Sequence, residues 1–289
     1  MPPSCQAPDP KPRKPLLAAP PGTCDTHFHV FGPLAAFPYQ PDRSYTPPEA
    51  SVEAYQRMKD TLGIERSVIV QPSVYGTDNT CSEEAMRRLG PDCRGIAVID
   101  DTFGEDRIEA LHRAGFRGIR FNLLFRGGTQ LASLDRLAKR IAPFGWHVQL
   151  LLDGRDLPDM AERLRALPVD IVVDHMGHAP ASIGLDHPAN RTLLDLVRGG
   201  RCWVKLSGAY RISGETVPYA DVTRLARALI AAGPERVVWG SDWPHPAITC
   251  PMPNDGDLFD LVAGWTDDPA QQRRLFTDNA AALYGFALA

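Results

Sequence analysis

Cys24-Asp25-Thr26-His27-Phe28-His29-Val30-Phe31 has the β-branched and aromatic content of a strand. Side chains on a strand alternate between faces, so His27 and His29 point one way while Thr26, Phe28 and Val30 point the other. Two imidazoles on the inner face of a first strand need partners, because an unpaired buried polar group is costly. A metal, a carboxylate or a substrate would serve, and so would ordinary hydrogen bonds in a core. The choice rests on what the rest of the chain brings to the same place.

Downstream, short apolar runs alternate with amphipathic stretches. Strands are expected at Ser67–Gln71, Gly95–Ile99, Phe116–Asn122, His147–Asp153, Asp170–His175, Cys202–Ser207 and Arg236–Asp242. Helices are expected over 50–62, from about 77, and over 105–114, 131–144, 160–167, 189–198 and 219–232. Near-continuous apolar strands are the mark of parallel strands covered on both faces. Eight right-handed β-then-α units close into a (β/α)₈ TIM barrel, the fold class expected here as a single domain over 23–289. A doubly wound open sheet is disfavoured, since no glycine-rich phosphate loop follows the first strand.

The 289 residues suit one such barrel, and 44% hydrophobic with 23% charged residues is a globular composition. A net charge of −4 argues against a nucleic-acid partner. No apolar stretch is long enough for a bilayer span. Six scattered cysteines without a Cys-x-x-Cys pair fit a reduced, cytoplasmic setting. Residues 1–22 carry eight prolines among Lys11, Arg13 and Lys14. They are expected to form an extended arm, either mobile or laid along a neighbouring subunit of a homo-oligomer.

TIM-barrel active sites lie at the carboxyl ends of the strands. Those ends carry His27 and His29, Gln71 and Ser73, Arg120 and Asn122, Asp153, His175, Ser207 and Asp242. His112, in a helix, and His147, at a strand start, fall at the wrong end and are assigned structural roles. His27, His29, His175 and Asp242 can converge near the barrel axis. Three imidazoles and a carboxylate match a single Zn²⁺-type site. They match a metal-free acid/base cluster equally well, and a hydrogen-bonded network without chemistry is the third reading. Arg120 and Arg126 flank the fourth-strand loop, and Arg211 follows the seventh strand. Guanidinium forks grip carboxylates, so converging arginines imply an anionic substrate.

His27-Phe28-His29, Asp174-His175-Met176-Gly177 and Trp239-Gly240-Ser241-Asp242-Trp243-Pro244-His245 resemble the amidohydrolase superfamily. With Phe31-Gly32-Pro33, Phe37-Pro38-Tyr39, Tyr45-Thr46-Pro47, Gly76-Thr77-Asp78-Asn79 and Gly118-Ile119-Arg120-Phe121-Asn122, the chain is similar to the 2-pyrone-4,6-dicarboxylate lactonase group and related sugar-lactonases. The resemblance implies a TIM barrel that hydrolyses a lactone, with Asp242 as general base on water and His27, His29 and His175 beside it. It implies substrate contacts at Arg120, Arg126, Arg211, Tyr45 and Ser73. No Lys or His stands at the fourth- and fifth-strand ends, so a two-metal centre is not expected. The cofactor is either none or one divalent ion, Zn²⁺ first, held by His27, His29, His175 and Asp242. Two positions depart from the group: Leu151 where it has a tyrosine, and Ala247 where it has an asparagine. Both bear on which lactone is taken.

An anionic lactone such as a pyrone dicarboxylate, a muconolactone or a sugar lactone is thus the expected substrate, in the setting of aromatic-compound degradation. Decarboxylation of an aromatic acid by a mononuclear metal ranks second and lactone isomerisation close behind. A barrel that binds an anionic metabolite without turnover would require Asp242 to be missing or misplaced.

Overall fold

Eight parallel strands pair in chain order: β1 Cys24–Phe28, β2 Arg66–Val70, β3 Cys93–Ala97, β4 Phe116–Asn122, β5 His147–Leu151, β6 Ile171–Val173, β7 Cys202–Leu206 and β8 Val237–Trp239. The computed structural model describes residues 2–287. Between and after the strands run α1 Val52–Leu62, α2 Thr80–Leu89, α3 Glu105–Ala114, α4 Leu134–Ile141, α5 Leu157–Ala166, α6 Pro188–Arg198, α7 Ala209–Ile212, α8 Ala220–Ala232, α9 Asp255–Trp265, α10 Pro269–Arg273 and α11 Asn279–Tyr284. This is the (β/α)₈ barrel.

Alternation along the strands sorts their side chains into separate apolar clusters. Ile69, Ala97, Ile119, Phe121, Val148, Leu150, Val204 and Trp239 belong to the large core shared with the surrounding helices. Val68, Val70 and Ile96 pack instead with Tyr284 of α11, and Val172, Trp203 and Val238 form a third cluster beside Leu283. By the same alternation Arg120, Gln149 and Lys205 face the barrel interior rather than the helices. All three are buried.

The ring closes between β1 and the segment that follows β8. His29 N–H donates to the Trp243 carbonyl at 2.8 Å and Asp242 N–H donates to the His27 carbonyl at 2.8 Å. Thr26 Oγ1 donates to the Trp239 carbonyl at 2.7 Å. Asp25 locks the seam: its carboxylate accepts from Ser241 N–H (2.9 Å), Ser241 Oγ (2.6 Å), His27 N–H (3.0 Å) and Tyr55 Oη (3.1 Å). Burial pushes this carboxyl up to about 6, against the pull of those four donors. Gly240 permits the close approach, since a Cβ there would stand 2.9 Å from His27 Cβ and 3.0 Å from His27 N.

Most strands stop one to three residues short of the expected carboxyl ends. There the chain leaves the sheet to present side chains, and His175 and Asp242 adopt left-handed backbone (φ 49° and 67°). The expected helix over 131–144 is three pieces, with α4 flanked by 3₁₀ turns at Leu131–Ser133 and Ala142–Phe144.

The proline-rich arm lies along its own barrel. Cys5 N–H donates to the Thr46 carbonyl (2.9 Å), and Thr46 N–H returns the bond to Pro3 (2.8 Å). Farther along, Arg13 grips Asp257 and Asp260 of α9 at 2.7 and 2.6 Å. Bare proline-rich chain lacks internal hydrogen bonds, so its polar groups turn to the barrel.

Gly240→Ala should destabilise the fold by about 1–3 kcal/mol, because the added methyl meets backbone that cannot yield cheaply. Equilibrium urea unfolding measures it. An unchanged midpoint would show that the seam is looser than described.

Candidate active site

At the carboxyl end of the barrel, His29, Tyr45, Arg120, His175, Arg211 and Asp242 line one cleft, joined by Asn122, Phe125, Leu151, His178 and Pro246. His27 lies just beneath. Its Nε2 stands 3.3 Å from His29 Nε2 and 3.8 Å from Asp242 Oδ1. His175 Nε2 is also 3.8 Å from Asp242 Oδ1. Ligand atoms of His27, His175 and Asp242 all lie within 4.8 Å of one another. His29 stands outside that trio, so the expected four-residue ligand set narrows to three with His29 adjacent.

Each ring is oriented from behind. His29 Nδ1–H donates to the Val70 carbonyl at 2.6 Å, which leaves Nε2 as an acceptor. His175 Nδ1 meets Ser207 Oγ at 2.9 Å. His27 Nδ1 lies 3.3 Å from Lys205 Nζ and 3.3 Å from Asp174 Oδ1. Asp174 Oδ2 accepts from Arg120 Nη2 (3.2 Å) and Gln149 Nε2 (3.1 Å). Burial pushes His27 down to about 3, opposed by Asp174 and reinforced by Lys205. Burial with Arg120 beside it does the same to His29, also to about 3. His175 falls well below its ordinary value, again chiefly through burial. The three rings are therefore neutral near pH 7.

Asp242 is held differently. Its Oδ2 accepts from Arg211 Nε at 2.5 Å and Tyr210 Oη at 2.6 Å. Tyr210 Oη in turn meets His245 Nδ1 at 2.9 Å, and His245 Nε2 meets Asp255 Oδ1 at 3.1 Å. Oδ1 is buried and has no hydrogen-bond partner. Burial works to raise this carboxyl, but the Arg211 guanidinium outweighs it and holds it well below the usual range. It remains ionised at neutral pH. Arg120 Nε, in the cleft lining, is also buried without a partner.

The remaining expected residues separate. Tyr45 is buried in the cleft wall, with burial pushing its phenol up to about 12 and the Ser73 hydroxyl opposing that rise. Arg211 lines the cleft but is engaged by Asp242 and by the Pro246 carbonyl (3.0 Å). Arg126 is not in the cleft: its side chain is 73% exposed and pairs with Asp42 at 3.0 Å. The loop after β4 turns it toward the long loop after β1, where Ser44 Oγ accepts its backbone N–H. Asp153 is occupied by Arg155 at its own turn. His112 accepts from Trp146 Nε1 at 2.9 Å, far from the cleft. Trp243 and Tyr75 pack against Tyr55 and Phe31 rather than lining the site.

Lys205, Gln149, His178, His245 and Asp255 escaped the sequence reading. Lys205 had a usable signal: a cation in Trp203-Val204-Lys205-Leu206, the middle of an apolar strand, must face a partner. The amide of Gln149 in the fifth-strand run gave the same kind of signal.

The amidohydrolase family matches residues 24–286, and the chain belongs to it. It is 38% identical over 271 residues to a 4-sulfomuconolactone hydrolase of Hydrogenophaga intermedia, spanning 92% of this chain and 89% of that protein. It is 37% identical to a 2-pyrone-4,6-dicarboxylate hydrolase of Comamonas testosteroni (94% and 93% covered). It is 34% identical to a D-galactarolactone isomerase of Agrobacterium fabrum (93% of each). Among solved structures, an apo protein of Agrobacterium tumefaciens superposes with a TM-score of 0.88 at 34% identity, over 95% of this chain and all (100%) of that one. A probable 2-pyrone-4,6-dicarboxylic acid hydrolase of Acinetobacter baumannii, with citric acid bound, gives 0.82 at 26% identity, over 92% and 100%.

His147, at the amino end of β5, carries a pH prediction clear of the cleft. Its ring is buried 5.4 Å from Tyr284, and burial, with Lys205 adding, pushes it down to about 3. Unfolded, it titrates near 6.5, so between pH 6.5 and about 3 the unfolded chain binds the extra proton. Stability is therefore intact above pH 6.5 and falls as the pH drops. His147→Asn should remove about 2 kcal/mol of the loss between pH 6.5 and 5. Urea midpoints at the two pH values test it, and parallel losses in both proteins would refute the assignment.

Proposed function

We propose that this chain opens an anionic lactone by hydrolysis, with Asp242 as the general base. One observation carries the reading. Asp242 Oδ1 is an ionised, unpartnered carboxylate oxygen at the floor of a cleft, and its sister oxygen is pinned by Arg211 and Tyr210. A water between Oδ1 and the substrate carbonyl loses a proton to Oδ1 as its oxygen attacks. The new oxyanion faces the imidazoles, where an N–H can donate to it, and the Arg120 guanidinium. As the ring C–O bond breaks, the proton on Asp242 passes to the leaving oxygen. One water is consumed, and the product is an open-chain carboxylic acid with a hydroxyl or enol, which releases one proton to solvent as it ionises.

Arg120 Nε, buried and unpaired, supports an anionic substrate, with Tyr45 and Ser73 as hydroxyl contacts and Arg211 nearby. Arg126 reaches the substrate only if its loop turns inward. The relatives' names support a lactone of the pyrone-dicarboxylate or muconolactone kind. We place the step in aromatic-compound degradation in the cytoplasm. Leu151 lines the cleft wall and offers no hydrogen bond there, which favours a lactone with one polar group fewer on that side.

The donor set also fits one divalent ion. His27 Nε2, His175 Nε2 and Asp242 Oδ1 would hold it, and two imidazoles with a carboxylate suit Zn²⁺. Such an ion would lower the pKa of a bound water and polarise the carbonyl.

Lactone isomerisation is the second reading, favoured by the galactarolactone isomerase relative. There the same Asp242 would abstract a carbon-bound proton or assist transfer of the acyl group.

Asp242→Asn should lower kcat by about 10²–10⁴-fold while the protein still folds and binds substrate, with some loss of stability because Arg211 loses its counter-charge. Arg120→Met should raise KM by about tenfold or more, the worth of a charge-assisted hydrogen bond of about 1.5–3 kcal/mol. Both are read on a panel of a pyrone dicarboxylate, muconolactones and aldonolactones, with and without chelator. Ring-opened product supports the hydrolase and ring-shifted lactone the isomerase. Full turnover by Asp242→Asn would sink both.

A further inference from the structure

The partners behind the three imidazoles are not alike. His29 Nδ1 faces a backbone carbonyl, which only accepts, so its tautomer is fixed with the Nε2 lone pair toward His27. His175 Nδ1 faces the Ser207 hydroxyl, which can either donate or accept. His27 Nδ1 has an ammonium and a carboxylate oxygen at the same distance, Lys205 Nζ at 3.3 Å and Asp174 Oδ1 at 3.3 Å. All of these side chains are buried.

Counting donors gives the resting arrangement. Lys205 has three protons and three acceptors: the Thr26 carbonyl at 2.7 Å, Gln149 Oε1 at 2.8 Å and His27 Nδ1. His27 then carries its proton on Nε2 and donates it to the lone pair of His29 Nε2, 3.3 Å away. In this arrangement Asp174 Oδ1 has no hydrogen-bond partner despite full burial, an uncommon and costly state for a carboxylate oxygen. Its use becomes clear if the proton moves. With hydrogen on Nδ1, His27 turns it toward Asp174 Oδ1, 3.3 Å away, the third Lys205 proton faces that same oxygen at 3.8 Å, and Nε2 is released as a lone pair. The His29 lone pair is freed as well. No proton enters or leaves the protein.

We propose that Lys205 and Asp174 make His27 a two-tautomer residue, protonated on Nε2 when the cleft holds no cation and on Nδ1 when a divalent cation is bound. The proposal deepens the cation reading given above and rests on it, not on the identity of the lactone. Lys205 and Asp174 are positioning residues: neither touches substrate or ion, and they set which face of the His27 ring can do so. Lys205 favours the hydrogen-bond donor and Asp174 the ligand. The same barrel end can then present either a donor for an oxyanion or a lone pair for a cation, without moving its backbone.

The test uses full-length protein labelled with ¹⁵N in histidine, stripped with chelator and titrated with Zn²⁺ alone. Ring-nitrogen shifts of His27 report the tautomer directly, with no substrate present. The stripped protein should show Nε2–H, and the Zn²⁺-loaded protein Nδ1–H. Lys205→Met should show Nδ1–H already when stripped and bind Zn²⁺ at least tenfold more tightly. Asp174→Asn should keep Nε2–H and bind it about 10–100-fold more weakly, as loss of such an outer partner does elsewhere. Lys205→Gln, which keeps a donor, should stay close to the parent and covers the case in which Lys205→Met does not fold. One tautomer in both states, affinities of the two variants moving together, or no Zn²⁺ binding by the parent protein would each overturn the proposal. Lactone turnover by stripped enzyme would stand regardless, so its failure and that of the hydrolase reading are separable.

Discussion

Closure of the barrel between β1 and the segment after β8 is the constraint on which the site depends. His27 and His29 belong to one edge of the seam and Asp242 to the other. Their approach is set by two backbone hydrogen bonds across it, His29 to Trp243 and Asp242 to His27. Asp25 spans the same joint, taking both the N–H and the hydroxyl of Ser241, next to Asp242. A carboxylate there is costly to bury, and four donors offset that cost. The seam that completes the fold therefore also fixes the spacing between Asp242 and the imidazoles.

Charge is concentrated inside the barrel mouth. Lys205 and Arg120, both buried, and the partly buried Arg211 supply three cations, and Asp25, Asp174 and Asp242 supply three buried carboxylates. Asp174 lies against Lys205 and Arg120, and Asp242 lies against Arg211. Buried charge without a counter-charge is unfavourable, and with the imidazoles neutral these groups balance. Arg120 Nε, unpaired in the cleft, is the donor left free.

The periodicity of the chain made the barrel legible, because alternating apolar runs and amphipathic stretches register burial on both faces of each strand. His27, His29, His175 and Asp242 were legible for a related reason, since the fold assigns chemistry to strand ends and these residues stand there. Arg126 shows where that rule gives out. Arg120 lies within the fourth strand, whereas Arg126 lies beyond it on a loop where it pairs with Asp42. Lys205 and Gln149 show the opposite limit. They sit in mid-strand, where apolar neighbours mask them, and alternation alone gives their direction. His245 and Asp255 become partners only through the turn after β8, which carries no periodic signal.

That turn and its counterpart after β6 explain why the strands end early. Among the described residues, His175, Met176 and His178 follow β6, and Asp242, His245 and Ala247 follow β8, all with left-handed backbone at φ between 49° and 67°. Each such non-glycine residue costs about 1–2 kcal/mol, so the surroundings must hold them there. The holding contacts are the ones that define the site: Ser207 on His175, Tyr210 and Arg211 on Asp242, Asp255 on His245. Extended continuations of β6 and β8 would be locally easier and would carry His175 and Asp242 past one another instead of toward a shared point. The strain thus lies in the two segments that must bring an imidazole and a carboxylate together, and the polar contacts that relieve it are the ones that orient them.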